Sequence, residues 1–203
     1  MSKIAIEGNA SGTGTFTIAS PNSNSSRTLS LPDGTGTFVV NGINSSIVSG
    51  TSVASTSGTS IDFTGIPSWV KRITVMFNGV STNGFSPPQI QIGSGSVTTS
   101  GYLGSSTVVT NTSVASALFT SGYGIGVNTA NWASTVVVHG AIVLTLQTGN
   151  TWVSAGSVGR SDGASTYFTN GSLALSGALD RVRITTVNGT DTFDAGSINI
   201  LYE

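Results

Sequence analysis

The chain of 203 residues carries seven Lys or Arg against eight Asp or Glu, a net charge of -1, and only 7% of its residues are charged, against about 25% in an ordinary soluble domain. So weak a field cannot gather a phosphate backbone or an anionic membrane surface, which sets nucleic-acid binding aside. Cysteine is absent, which removes disulfides, thiolate metal sites and thiol catalysis.

Gly, Ser, Thr and Asn fill the space that charges leave, yet Val and Ile are plentiful and the mean hydropathy is positive. The chain is therefore expected to fold around one principal core instead of staying disordered. No run reaches the ~18 apolar residues that span a bilayer, and the first residues lack an apolar stretch followed by a cleavage site. A product made in a cytosol and not inserted in a membrane is expected.

Taken in chain order, residues 1–46 stand apart. The runs 16–18 and 28–31 are too short and too rich in Ser and Thr to close a core, and Gly-Thr-Gly-Thr-Phe occurs at 12–16 and again at 34–38. A short β repeat of this kind cannot bury its apolar face without neighbours, so 1–46 is predicted to be a β-strand repeat that stacks on itself or on other copies. A linker rich in Asn, Ser, Thr and Gly, near 42–60, leads into a second domain, 47–203.

In the second domain, β-branched runs bounded by Gly, Asn, Ser or Pro recur without helical periodicity. They predict strands at 69–79 (WVKRITVMFNG), 89–92, 135–147 (TVVVHGAIVLTLQ), 152–158, 173–176, 181–187 and 197–202. Asn-Gly at 41–42, 78–79, 83–84, 170–171 and 188–189, with Asp-Gly at 33–34 and 162–163, predicts tight hairpin turns of positive φ. Charges alternate with apolar residues in 181–187, as Ile73, Val75 and Phe77 alternate with their neighbours, so those strands should have one wet face. The near-continuous apolar run 136–138 and 141–144 reads as a central strand buried on both faces and kinked at His139-Gly140. The expected fold is all-β: the N-terminal repeat, then an antiparallel, jelly-roll-like β-sandwich.

Reactive groups are scarce. His139 is the single histidine, placed inside the strand expected to be most buried, where a backbone carbonyl would satisfy it. No nucleophile elbow accompanies it, and no catalytic residue is assigned. A glycosidase pair would come from Asp62, Asp162, Asp180, Asp191 or Asp194, each of which has a simpler role at a turn or strand end. Asp191 and Asp194 offer two oxygens to a cation, but no EF-hand-type series follows, so neither a metal nor a cofactor is expected. The Gly-rich stretches 93–95 and 122–126 lack the helix and lysine of a phosphate loop and read as loops or bulges.

The remaining recognition chemistry is aromatic and amide-based. Rings stack on the apolar faces of neutral sugars while Asn and hydroxyl groups pair with sugar hydroxyls. Trp69 and Trp152, on predicted strands, are assigned to the core. Trp132, Tyr123 and Phe85 lie in segments that read as loops, where a ring serves either packing or stacking. With Asn131 they are the candidate glycan contacts.

The segments 8–24 (GNASGTGTFTIASPNSN) and 27–37 (RTLSLPDGTGT) resemble a stretch common in tail-fibre and other virion proteins of tailed bacteriophages. The stretch 65–80 (GIPSWVKRITVMFNGV), with 89–95 and 99–102, looks like the compact β domain that often ends such proteins. The resemblance implies a homotrimer on the particle exterior, assembled in the host cytoplasm. In that setting the N-terminal segment is expected to contact other virion proteins, and the loop aromatics and low charge point to attachment to a host surface glycan. It supplies no ligand site that transfers residue by residue, and because the chain is short for a complete long tail fibre it leaves open a short fibre or tip and, as the alternative, a head fibre or capsid decoration protein of purely structural role.

Overall fold

The computed structural model describes residues 11–13, 24–26, 47–127 and 132–203. Two compact units divide the chain, Met1–Phe38 and Val39–Glu203. In the first, the repeat at 12–16 and 34–38 lies outside the described residues apart from Gly12 and Thr13. The second unit is all strand and loop among its described residues.

Its strands are β1 (Val48–Ser49), β2 (Val53–Ala54), β3 (Ser60–Thr64), β4 (Arg72–Thr82), β5 (Pro88–Ser94), β6 (Ser96–Val97) and β7 (Leu103–Thr110), followed by β8 (Val114–Phe119), β9 (Tyr123–Gly124), β10 (Val138–Thr148), β11 (Thr151–Arg160), β12 (Ser165–Ala174), β13 (Arg181–Thr186) and β14 (Phe193–Tyr202). The larger sheet has the order β1-β14-β4-β10-β11-β12-β7-β8, with β2 also on β14; the smaller has the order β3-β13-β5-β6, with β9 also on β5. Every pairing is antiparallel.

Side-chain alternation explains why the sheets meet. Ile73, Val75 and Phe77 of β4, Ile142 and Leu144 of β10, and Trp152 and Val158 of β11 point from the larger sheet into one hydrophobic cluster. Ile61 and Phe63, Ile90 and Ile92, and Val182 and Ile184 enter the same cluster from the smaller sheet. Burying such two-residue repeats on facing sheets gives a sandwich with its core between the layers.

Several sequence expectations need correction. The run 135–147 is central, between β4 and β11, but only one of its faces is buried: Val138, Ile142 and Leu144 are inside while Ala141 and Val143 are half-exposed. Small apolar residues on the outer face of a wide sheet gave the run its continuous appearance. Its kink does fall at His139-Gly140, where the register with β4 shifts and Gly140 has a φ of 142°. The strand expected at 173–176 is the end of the longer β12, whose Ser/Thr/Asn/Gly-rich body hides its period, as do β7 and β8.

Two Asn-Gly pairs lie inside strands and turn no hairpin. Asn78-Gly79 forms a bulge in β4, with Gly79 at a φ of 68°. Gly171, in β12, has Leu103 O, Tyr123 and the Gly104 Cα within about 3 Å of where a Cβ would sit, so close packing requires the glycine.

Candidate functional site

β4 runs for eleven residues, about 35 Å at ~3.3 Å per residue, and an exposed aromatic follows or precedes it at each end. Trp69, expected in the core, is 50% exposed in the loop before Arg72 and packs against Tyr202 with ring centroids 5.9 Å apart. Lys71-Arg72, two residues on, is the signal that this segment runs at the surface. The described chain enters the sandwich at this end, because Val48 pairs with Tyr202 and Tyr202 with Ile73.

Phe85 lies beyond the other end and is 61% exposed. Its loop is built around Asp191. The Ser86 amide donates to Asp191 Oδ2 at 2.9 Å and Asn188 Nδ2 donates to Oδ1 at 2.7 Å. The Asn83 amide donates to the Thr192 carbonyl, and the Thr192 amide returns a bond to Asn83 Oδ1, both at 2.9 Å. Gly84 lies against the Asp191 carboxylate with no room for a Cβ. The segments 83–87 and 187–192 thus form one cap from which Phe85 projects.

Trp132 reaches the same end of the sandwich but is 1% exposed, so of the two roles open to it, packing and stacking on a glycan, it serves packing. Its Nε1 donates to Thr82 Oγ1 at 3.1 Å, and its ring lies 5.8 Å from that of Tyr167. Tyr123 is also buried: it lies in β9 against β5, donates its hydroxyl to the Trp152 carbonyl at 3.2 Å, and meets Tyr102 edge-on at 5.0 Å. The glycines around Tyr123 admit close packing: a Cβ at Gly124 would lie 2.5 Å from the Phe119 ring. Burial raises the pKa of Tyr102 and of Tyr123. Asn131 lies outside the described residues. Of the proposed glycan contacts, Phe85 is thus exposed while Trp132 and Tyr123 are packed inside the sandwich.

A cleft of about 140 Å³ opens beside Trp132, lined also by Thr110, Ala133, Arg160, Ser165 and Tyr167, space for about five waters. Ser165 Oγ is buried without a hydrogen-bond partner among the described residues. Arg160 is held by Asp162, Nε to Oδ1 at 3.1 Å with a second contact from Nη2 to Oδ2, while the Val137 amide donates to the same carboxylate at 2.9 Å. The Arg160 hydrogen bond leads the effects that hold the Asp162 carboxyl below its usual range. The cleft offers hydroxyl and guanidinium donors over an aromatic floor.

The groups considered for chemistry are engaged elsewhere. His139 is exposed, not buried, and in place of a carbonyl partner its Nδ1 accepts from the Gly79 amide at 3.1 Å, with Nε2 3.1 Å from Ser161 Oγ. It caps the amide that the β4 bulge frees. Asp62 accepts from Arg183 at 2.7 and 3.1 Å, Asp180 accepts from Arg181 at 2.7 and 3.1 Å, and Asp194 bonds Ser81. Among the described residues no three His, Asp or Glu side chains gather as metal ligands, and no helix is long and apolar enough to cross a membrane. In comparisons with protein-family models, curated proteins and solved structures, the chain matches none.

Proposed function

We propose that this chain is a structural protein of a tailed-bacteriophage virion, a homotrimeric tail fibre or fibre tip whose jelly-roll-like sandwich attaches to the host surface. The observation that carries the attachment role is Phe85, projecting from a cap clamped through Asp191 at the end of the sandwich opposite the entry of the described chain. An exposed ring on a fixed loop, with the hydroxyl-lined cleft beside Trp132 at the same end, suits a neutral glycan. Ring-on-sugar contact and hydroxyl pairing need no net charge. Individual contacts are weak, and three per fibre give avidity. The N-terminal segment is assigned to the rest of the virion, and the activity is non-covalent and non-enzymatic.

The test is adsorption of purified protein to host cells, with competition against whole particles. Phe85→Ala should reduce adsorption at least tenfold while leaving the fold intact by circular dichroism; unchanged adsorption would refute attachment through this end. The burial of Trp132 and Tyr123 favours a second reading, a capsid decoration or head-fibre protein that contacts only virion partners. Copy number per particle, low for a tail appendage and high for a shell protein, separates the two.

A further inference from the structure

The outward face of the larger sheet carries almost no charge across β7, β8, β10, β11 and β12. From Ile73 to Gly159 the sequence contains no Asp, Glu, Lys or Arg, and β12 adds none; the one charge among these strands, Arg160 at the last position of β11, falls by alternation on the other side with Val158, in the cleft beside Trp132. Strand alternation places Leu103, Val109, Val114, Leu118, Val153 and Phe168 on this face, with Leu118 85%, Leu103 76% and Val114 69% exposed. The register makes the patch continuous: Val109 lies opposite Val114, Ser105 opposite Leu118, and Ser172 opposite both Leu103 and Val153.

Among the described residues the sheet ends at β8, which pairs there with β7 alone. Soluble proteins blunt such edges with Lys, Pro or a bulge. The β8 sequence, VASALF, has neither Lys nor Pro, and its register with β7 runs without a shift.

We propose that this face and its β8 edge form the seam between copies of this chain, the occupant being a second copy. Five strands at ~4.8 Å spacing and ~10 residues of length present on the order of 700 Å², close to the ~800 Å² per partner of a stable protein interface. Charge selects the occupant. A neutral face packed on another neutral face strips water from no formal charge, whereas the outer face of the smaller sheet would bring the Arg183–Asp62 pair into the contact. The seam rests on the homo-oligomeric reading given above and assigns that reading its surface.

The test is the mass of the purified full chain by light scattering. Wild type should run as a multiple of 20.4 kDa. Leu118→Lys and Leu103→Glu should each fall to one chain with unchanged far-ultraviolet circular dichroism, while Val187→Lys, on the Phe85 cap, should stay assembled. Should either seam variant fail to fold, hydrogen exchange of the wild-type β8 amides decides: protection that rises with protein concentration supports the seam, and protection independent of concentration overturns it. A single-chain wild type, or folded seam variants of unchanged mass, also overturns it. A single-chain protein that is nevertheless present in purified particles sinks the seam and spares the virion reading. An assembly that dissociates in the seam variants but is absent from particles supports the seam and sinks the virion reading.

Discussion

Two short segments, 83–87 and 121–127, have nearly the same sequence grammar, an aromatic set among glycines and hydroxyls, and the fold uses them in opposite ways. In the first, Gly84 makes room for the Asp191 carboxylate that clamps the loop, and Phe85 projects outward. In the second, the glycines let Tyr123 and its neighbours slide between packed strands, and every residue from Gly122 to Val127 is buried. A glycine beside an aromatic therefore announces a close approach; whether solvent or another strand is approached depends on what lies opposite.

The sharpest way to break this contrast is truncation. Trp132→Ala and Tyr123→Ala should each cost about 3–5 kcal/mol in chemical denaturation, whereas Phe85→Ala should cost less than ~0.5 kcal/mol while impairing adsorption. Equal losses at the three positions would show that the two segments do not differ as described. Gly124→Ala comes next: its new methyl meets the Phe119 ring, and about 1–3 kcal/mol of overpacking strain is expected.

Alkaline pH supplies a third test. In the folded state Tyr102 and Tyr123 keep their protons above the ordinary tyrosine range, chiefly because burial disfavours the phenolate. The unfolded chain releases them near pH ~10, so folding stability is complete below that pH and falls as pH rises beyond it. Tyr123→Phe should flatten the decline of the denaturation midpoint above that pH, and an unchanged slope would contradict a buried phenol at 123. Smallest is Asp191→Ala, about 1 kcal/mol. Faster hydrogen exchange at the Ser86 amide should accompany it, with the interior segment 122–127 unaffected.

The all-β class and most strands around the core were legible because Ile, Val and Phe alternate there at period two. β7, β8 and most of β12 were not, since Ser, Thr, Gly and Ala occupy both of their faces and erase the contrast on which periodicity depends. At the candidate site, Phe85 was legible from Asn83-Gly84 before it and Pro87-Pro88 after it. For Trp132 and Tyr123 the choice between packing and stacking was not legible, because sequence does not show that Thr82 and the Trp152 carbonyl wait in the interior as their partners. His139 was misplaced because its strand is buried on one face only: with Val138, Ile142 and Leu144 turned inward, alternation puts the imidazole on the outer side, where it meets the Gly79 amide freed by the β4 bulge.

β14 lies between β4 and β1, joining the final residues of the unit to its first strand. During synthesis neither neighbour can acquire this partner until the ribosome has made the whole unit. Closure between positions so far apart in sequence is slow compared with local pairing. The nascent polypeptide must therefore remain soluble with an unfinished sheet for most of its time on the ribosome, and a chain cut just before Phe193 would lose the strand that joins its beginning to its middle.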